Sequence, residues 1–145
     1  MRGMELRLPV GVWRAIEREL GERYPYEGCG LLVGRSAGRV EVAAHIPVRN
    51  LREGVEAKRR YLIGPGDFLA AEKEARARGL EIVGVYHSHP DAPAEPSEFD
   101  RENAWPWYYY LIVAVLGGRV DSARAWQLKD DRSGFEERGV ILSEE

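Results

Sequence analysis

Apolar and charged positions alternate at the start of the chain. Leu6 and Leu8 interleave with Glu5 and Arg7 ahead of Pro9, which predicts a short edge strand ended by the proline. The period then changes. Val12, Trp13, Ile16 and Leu20 fall on one helical face with Arg14, Glu17, Arg18 and Glu19 outside it, and Gly21 is placed to end that helix. From Gly28 to Gly34 the run is short, apolar and bounded by glycine; with Val40 to Ile46 beyond Ser36-Ala37-Gly38 it predicts a hairpin. Glu27 then stands at the start of a buried strand. Tyr61 to Ile63 predict another short strand, and Pro65-Gly66-Asp67 opens a helix over Phe68 to Arg78 that stops at Gly79. Leu80 to Tyr86 reads as a central strand running straight into His87-Ser88-His89-Pro90. Prolines at 90, 93 and 96 hold off regular structure until Ser97, where a short helix to about Asn103 begins. Three strands follow, Tyr108 to Leu116, Val120 to Leu128 and Phe135 to Leu142, separated by turn compositions at Gly117-Gly118 and residues 130–134.

Composition narrows the function classes. The 145 residues, 44% hydrophobic and 31% charged, are enough for one globular domain spanning 1–145 and too few for two. Lys and Arg number 21 against 24 Asp and Glu, a net charge of -3, so there is no chain-wide basic field to hold nucleic acid. The one concentrated basic stretch is 49–60, with Arg49, Arg52, Lys58, Arg59 and Arg60, and its lack of apolar periodicity predicts a mobile, solvated loop. A single cysteine, Cys29, supports neither an internal disulfide nor a cysteine-rich zinc finger and points to a reducing compartment. Met1 to Leu8 lacks the apolar core of a signal peptide. The longest apolar-aromatic run, Trp105 to Leu116, is 12 residues where a bilayer span needs roughly 20. The expectation is a cytoplasmic protein with no membrane or nucleic-acid partner.

The chemistry gathers where the central strand ends. On an extended backbone alternate side chains share a face, so His87 and His89 can meet one metal ion. Two such histidines are also common at a strand end with no ligand at all. Ser97-Glu98-Phe99-Asp100 puts a carboxylate one helical turn after a hydroxyl, and two readings stand open: a capping box, or a third ligand beside a polar partner. Spacing alone does not separate them.

Taken together, Glu27, His87-Ser88-His89 and Ser97-x-x-Asp100, with seven residues between His89 and Ser97, reproduce the pattern E…H-S-H-x7-S-x-x-D. In this the chain resembles the JAMM/MPN+ zinc metallopeptidases; Pro25 to Gly34 and Tyr110 to Val113 also look typical of small prokaryotic members. The resemblance implies a single α/β domain of the JAMM/MPN, cytidine-deaminase-like type, a mixed β-sheet flanked by helices. It implies one Zn2+ held by His87, His89 and Asp100 with a water in the fourth position, Glu27 as general base, and Ser97 as donor to the developing oxyanion. Ser88, between two ligands, points away and takes a structural role. The implied substrate is a ubiquitin-like or sulfur-carrier protein cut after its C-terminal Gly-Gly, and the basic loop is a candidate dock for an acidic carrier domain.

Other readings fit less well. His87-Ser88-His89-Pro90-Asp91 begins like the metallo-β-lactamase signature, but Ala92 stands where its next histidine belongs. A zinc deaminase needs a P-C-x-x-C pair, which Cys29 alone cannot supply. Cys29 as a nucleophile would lie inside an apolar strand, where a small buried hydrophobe is the commoner use. Trp105, Trp107 and Tyr108 to Tyr110 suit packing better than a stacking platform. The rival class is a non-catalytic MPN scaffold, which retention of all five polar residues argues against.

Overall fold

The computed structural model describes residues 5–144. The N-terminal reading of Met1 to Leu8 therefore falls partly, at residues 1–4, outside the described residues. In chain order the elements are β1 (Glu5–Pro9), α1 (Val10–Arg23), β2 (Cys29–Ala37), β3 (Arg39–Val48), α2 (Pro65–Ala77), β4 (Glu81–Pro90), α3 (Glu98–Asn103), β5 (Tyr109–Leu116), β6 (Arg119–Leu128) and β7 (Phe135–Ser143), with a 3-10 turn at Gly54–Lys58 between β3 and α2.

The strands form one mixed sheet in the order β1-β3-β2-β4-β5-β6-β7, closed by β1 against β7. β1 runs parallel to both β3 and β7, and β4 parallel to β5, while the remaining pairs are antiparallel. The expectation that β1 is an edge strand is corrected here: it closes the sheet. Alternation reports which face of a strand is buried, and Leu6 and Leu8 are fully buried, but it carries no signal for how many neighbours the backbone finds.

Each face of the sheet has its own packing. Ile16 and Leu20 of α1 join Leu6, Leu8, Leu32, Tyr86 and Leu111 in one buried cluster. The opposite face buries Leu31, Val85 and Tyr110 with Ala71 of α2, and Phe68 packs against them. From Val85 onward β4 alternates strictly, so His87 and His89 share the α2 side with Val85, whereas Tyr86 lies in the α1 cluster. Gly30, opposite Tyr86 on β2, is glycine for a local reason: a Cβ there would run into the Tyr86 ring. This close approach keeps β2 and β4 paired beside the site.

Two further expectations change. Helix α1 runs through Gly21 to Arg23, because its apolar stripe continues to Leu20 and nothing at 21 forces a left-handed turn. Residues 61–64 do not form a strand. Their segment is held by Leu51 N–H donating to the Leu62 carbonyl at 3.0 Å and by Leu62 N–H donating to Asn50 Oδ1 at 3.0 Å, a side-chain latch in place of a ladder. No described helix is long and apolar enough to cross a membrane.

Candidate metal centre

β4 carries the histidines to its C-terminal end, where the chain turns away at Pro90. The two Nε2 atoms stand 3.3 Å apart. Asp100, in the first turn of α3, places Oδ2 3.1 Å from His89 Nε2 and Oδ1 3.4 Å from His87 Nε2. The four ligand bonds of a tetrahedral zinc site, each about 2.0–2.1 Å, set donor atoms roughly 3.4 Å apart. The observed spacings match that edge. These three residues form a group of donors within 4.8 Å of one another that can hold a metal ion.

The chemistry of the donors fits too. His89 Nδ1 lies 2.9 Å from the Pro93 carbonyl, which can only accept, so Nδ1 carries the proton and Nε2 keeps its lone pair for the ion. The His87 ring stacks on Tyr61 at 4.4 Å, and its Nδ1 is buried with no hydrogen-bond partner. Burial works against charging both His89 and Asp100, but their mutual attraction wins: His89 is raised, and His87, His89 and the Ser97 N–H hold Asp100 well below the usual carboxylate range. Two neutral nitrogens and one carboxylate leave a bound dication with net positive charge.

Of the two readings the sequence left open, the capping box is present, and it leaves Asp100 within reach of both histidines. Ser97 is the N-cap of α3, its Oγ accepting from Asp100 N–H at 3.1 Å, while Asp100 Oδ2 accepts from Ser97 N–H at 2.9 Å. The capping box aims the carboxylate at the histidines.

Glu27 is buried just ahead of β2. Its burial pushes the carboxyl up to about 7, against the opposing pull of His87 and His89. Its backbone is tied on both sides. Ser88, buried between the two histidines, accepts from Gly28 N–H through Oγ at 2.9 Å, and Ser88 N–H donates to the Gly28 carbonyl at 3.1 Å. Gly28 itself packs against α1, where a Cβ would press on Leu20 at 2.7 Å. On the other side Glu27 N–H donates to the Ala57 carbonyl at 2.6 Å, and Asn50 Nδ2 donates to the Glu27 carbonyl at 3.0 Å.

The 49–60 stretch is solvated as its charge suggests, with Arg49, Lys58, Arg59 and Arg60 exposed, but its backbone is tied down by hydrogen bonds. Asn50 ties it to Glu27, to Arg60 and to Leu62, and Ala57 is buried in its 3-10 turn. Sequence reasoning missed Asn50 and Tyr61. An Asn among arginines has no periodicity, and Tyr61 sits in a short apolar run indistinguishable from a strand.

Cys29 pairs with Val48 and His87 across the sheet, buried, and burial pushes its thiol up to about 12, which suits an inert core residue. Tyr109 and Tyr110 are packing residues, as expected. Trp105 and Trp107 are not: both are exposed, stacked on one another at 5.2 Å.

Residues 9–129 match the family described as prokaryotic homologs of the JAB domain. The chain belongs to this JAMM/MPN family. It is 42% identical over 94 residues to a desampylase of Haloferax volcanii, covering 64% of this chain and 66% of that one. It is 36% identical over 118 residues to a probable TtuB-protein conjugate cleaving protease of Thermus thermophilus, covering 81% and 76%. A solution structure of a Desulfitobacterium hafniense protein superposes with a TM-score of 0.84 at 29% identity, covering 97% of this chain and 94% of that one.

Proposed function

We propose that the chain is a zinc-dependent amide hydrolase that cuts after the C-terminal Gly-Gly of a ubiquitin-like or sulfur-carrier protein. The observation that carries the reading is the convergence of two Nε2 atoms and a carboxylate at 3.1–3.4 Å, with a buried glutamate near enough to interact electrostatically with all three residues. The desampylase and the conjugate-cleaving protease among the relatives support the substrate class.

A zinc ion held by His87, His89 and Asp100 would supply positive charge that lowers the pKa of a water to about 7 and polarises a carbonyl. Glu27 takes the proton from the attacking water and returns it to the nitrogen of the leaving amine as the C–N bond breaks. Burial raises this carboxyl in the metal-free protein, and a bound cation would pull it back down, so the buried site and the ion oppose one another in tuning the base. Ser97 Oγ already accepts from Asp100 N–H, so its own proton is free to donate to the oxyanion. An extended glycine tail suits a narrow approach, since only glycine lets the substrate backbone come so close. The cationic surface of 49–60 favours an acidic carrier domain.

The test is incubation with a sulfur-carrier protein joined through its Gly-Gly carboxyl to a lysine side chain or to one extra residue, read by intact mass. The reading requires carrier ending at the second glycine. Cleavage elsewhere, or none with any carrier offered, contradicts it.

A further inference from the structure

Arg52 stands between two cavities. One, of about 280 Å³, is walled by Tyr61, Phe99, Asp100 and Trp105; the other, of about 310 Å³, reaches Glu27 and Arg49. Arg52 is the residue that lines both together with a residue of the metal centre or the proposed base. Its backbone is fixed by the latch that holds Glu27, because Arg52 N–H donates to Asn50 Oδ1 at 2.9 Å while Asn50 Nδ2 bonds the Glu27 carbonyl. The guanidinium is half-buried and lies 5.6 Å from the centre of the Phe99 ring, next in sequence to Asp100.

What the guanidinium lacks is an anion. Arg60, over the other part of the same ring at 4.9 Å, pairs with Glu56 at 3.3 Å, and Arg23 pairs with Glu19 at 3.7 Å. Among the described residues Arg52 has no ion pair, and its Nε is buried with no hydrogen-bond partner. A planar fork of donors that lies against an aromatic ring, lines two cavities and has no carboxylate among the described residues paired to it matches a carboxylate taken through two parallel hydrogen bonds. Asp100 lines the same cavity but is already committed to His87, His89 and the Ser97 N–H.

We infer that Arg52 is a substrate-binding residue that grips a carboxylate of the substrate beside the scissile bond. This rests on the hydrolase reading for what the substrate is. The carboxylate has two possible sources with the same chemistry: the free C-terminal carboxylate of a single leaving residue, or an acidic side chain in the tail just before Gly-Gly. The first would make the protein a remover of one residue from a carrier; the second would make it a reader of tail sequence.

Peptide binding to the Glu27→Gln protein, measured by calorimetry, separates the sources without turnover. One arm compares Gln-Gly-Gly-Ala with a free C-terminus against its C-terminal amide. The other compares Glu-Gly-Gly-Ala amide against Gln-Gly-Gly-Ala amide. The inference expects the acid to bind about tenfold or more tighter in at least one arm, and that arm names the source. Adding Arg52→Gln should collapse the ratio to about one, and adding Arg52→Lys, which keeps the charge but not the fork, should leave an intermediate ratio. No preference in either arm, or a preference that survives Arg52→Gln, overturns it. If wild-type protein cleaves none of the corresponding carrier conjugates, the hydrolase reading fails, and the binding ratio still decides the role of Arg52.

Discussion

Asp100 Oδ2 lies 3.1 Å from His89 Nε2 and at the same time accepts a hydrogen bond from Ser97 N–H at 2.9 Å. One carboxylate is both the cap of a helix and a member of the donor cluster. α3 is only six residues long, and the cap joins the Glu98–Arg101 pair and the Arg101–Arg132 hydrogen bonds in holding its first turn. The aim of the carboxylate at the histidines is therefore inherited from the cap.

The two roles come apart on substitution. Asp100→Asn keeps an acceptor for Ser97 N–H but removes the anion, so metal content should fall to near zero, and the metal-free protein should also lose stability at neutral pH with the attraction to His87 and His89. Ser97→Ala loses the Oγ half of the cap, costing about 1 kcal/mol, but keeps the backbone N–H bond that aims Asp100, so zinc should be retained while loss of the proposed oxyanion donor lowers turnover roughly 10²-fold. Metal analysis and melting curves on both variants check this. Full zinc in Asp100→Asn would contradict the ligand assignment.

Glu27 should cost the fold stability in exchange for its chemistry. In the metal-free protein its carboxyl is raised from 4.5 to about 7 by burial, so between those values the folded state keeps a proton that the unfolded state has released. That contribution is fully present below pH 4.5 and is lost as pH rises through 7. Glu27→Gln does not titrate and escapes the loss. With chelator present it should exceed wild type by roughly 1–3 kcal/mol at pH 8, and the gap should close below pH 4.5. Urea unfolding at pH 4 and pH 8 measures both, and a gap independent of pH would contradict the buried, raised carboxyl. The same variant should keep zinc and lose about 10²-fold or more in turnover.

Asn50 holds the Glu27 carbonyl, and Ser88 holds the neighbouring Gly28. Asn50→Ala removes hydrogen bonds to Glu27, Arg60, Arg52 and Leu62 together, and should lower kcat more than it raises KM, with destabilisation of about 1–3 kcal/mol. Zinc content should fall less than kcat, because the latch reaches a ligand only indirectly, through Tyr61 stacked on His87. Loss of zinc as large as the loss of kcat would show that the loop supports the metal centre instead of the base.

Much of this was legible in the sequence because the donors lie on short, regular stretches. That His87 and His89 share a face follows from strand alternation, and that Ser97 and Asp100 share one follows from helical spacing, as the spans of β4 and α3 bear out; their choice as a site comes from the resemblance of the whole pattern to the family. The strands β2, β3, β5, β6 and β7 follow from alternation and turn residues in the same way. What could not be read depends on partners far along the chain. β1 closes the sheet through β7, whose residues lie more than 130 positions away, and no local pattern encodes that pairing. The order of residues 49–62 rests on one Asn side chain making four hydrogen bonds, and charge density pointed the other way. The Tyr61 stack on His87 likewise joins an irregular segment to a strand.

The most direct test of the central claim is zinc titration of metal-stripped protein against a carrier conjugate, with released carrier measured by intact mass. The account predicts no cleavage without metal, a rise that saturates at about one zinc per chain, and a product ending at the second glycine. Cleavage that persists in the stripped protein, or a fully zinc-loaded protein that never releases carrier, would contradict it.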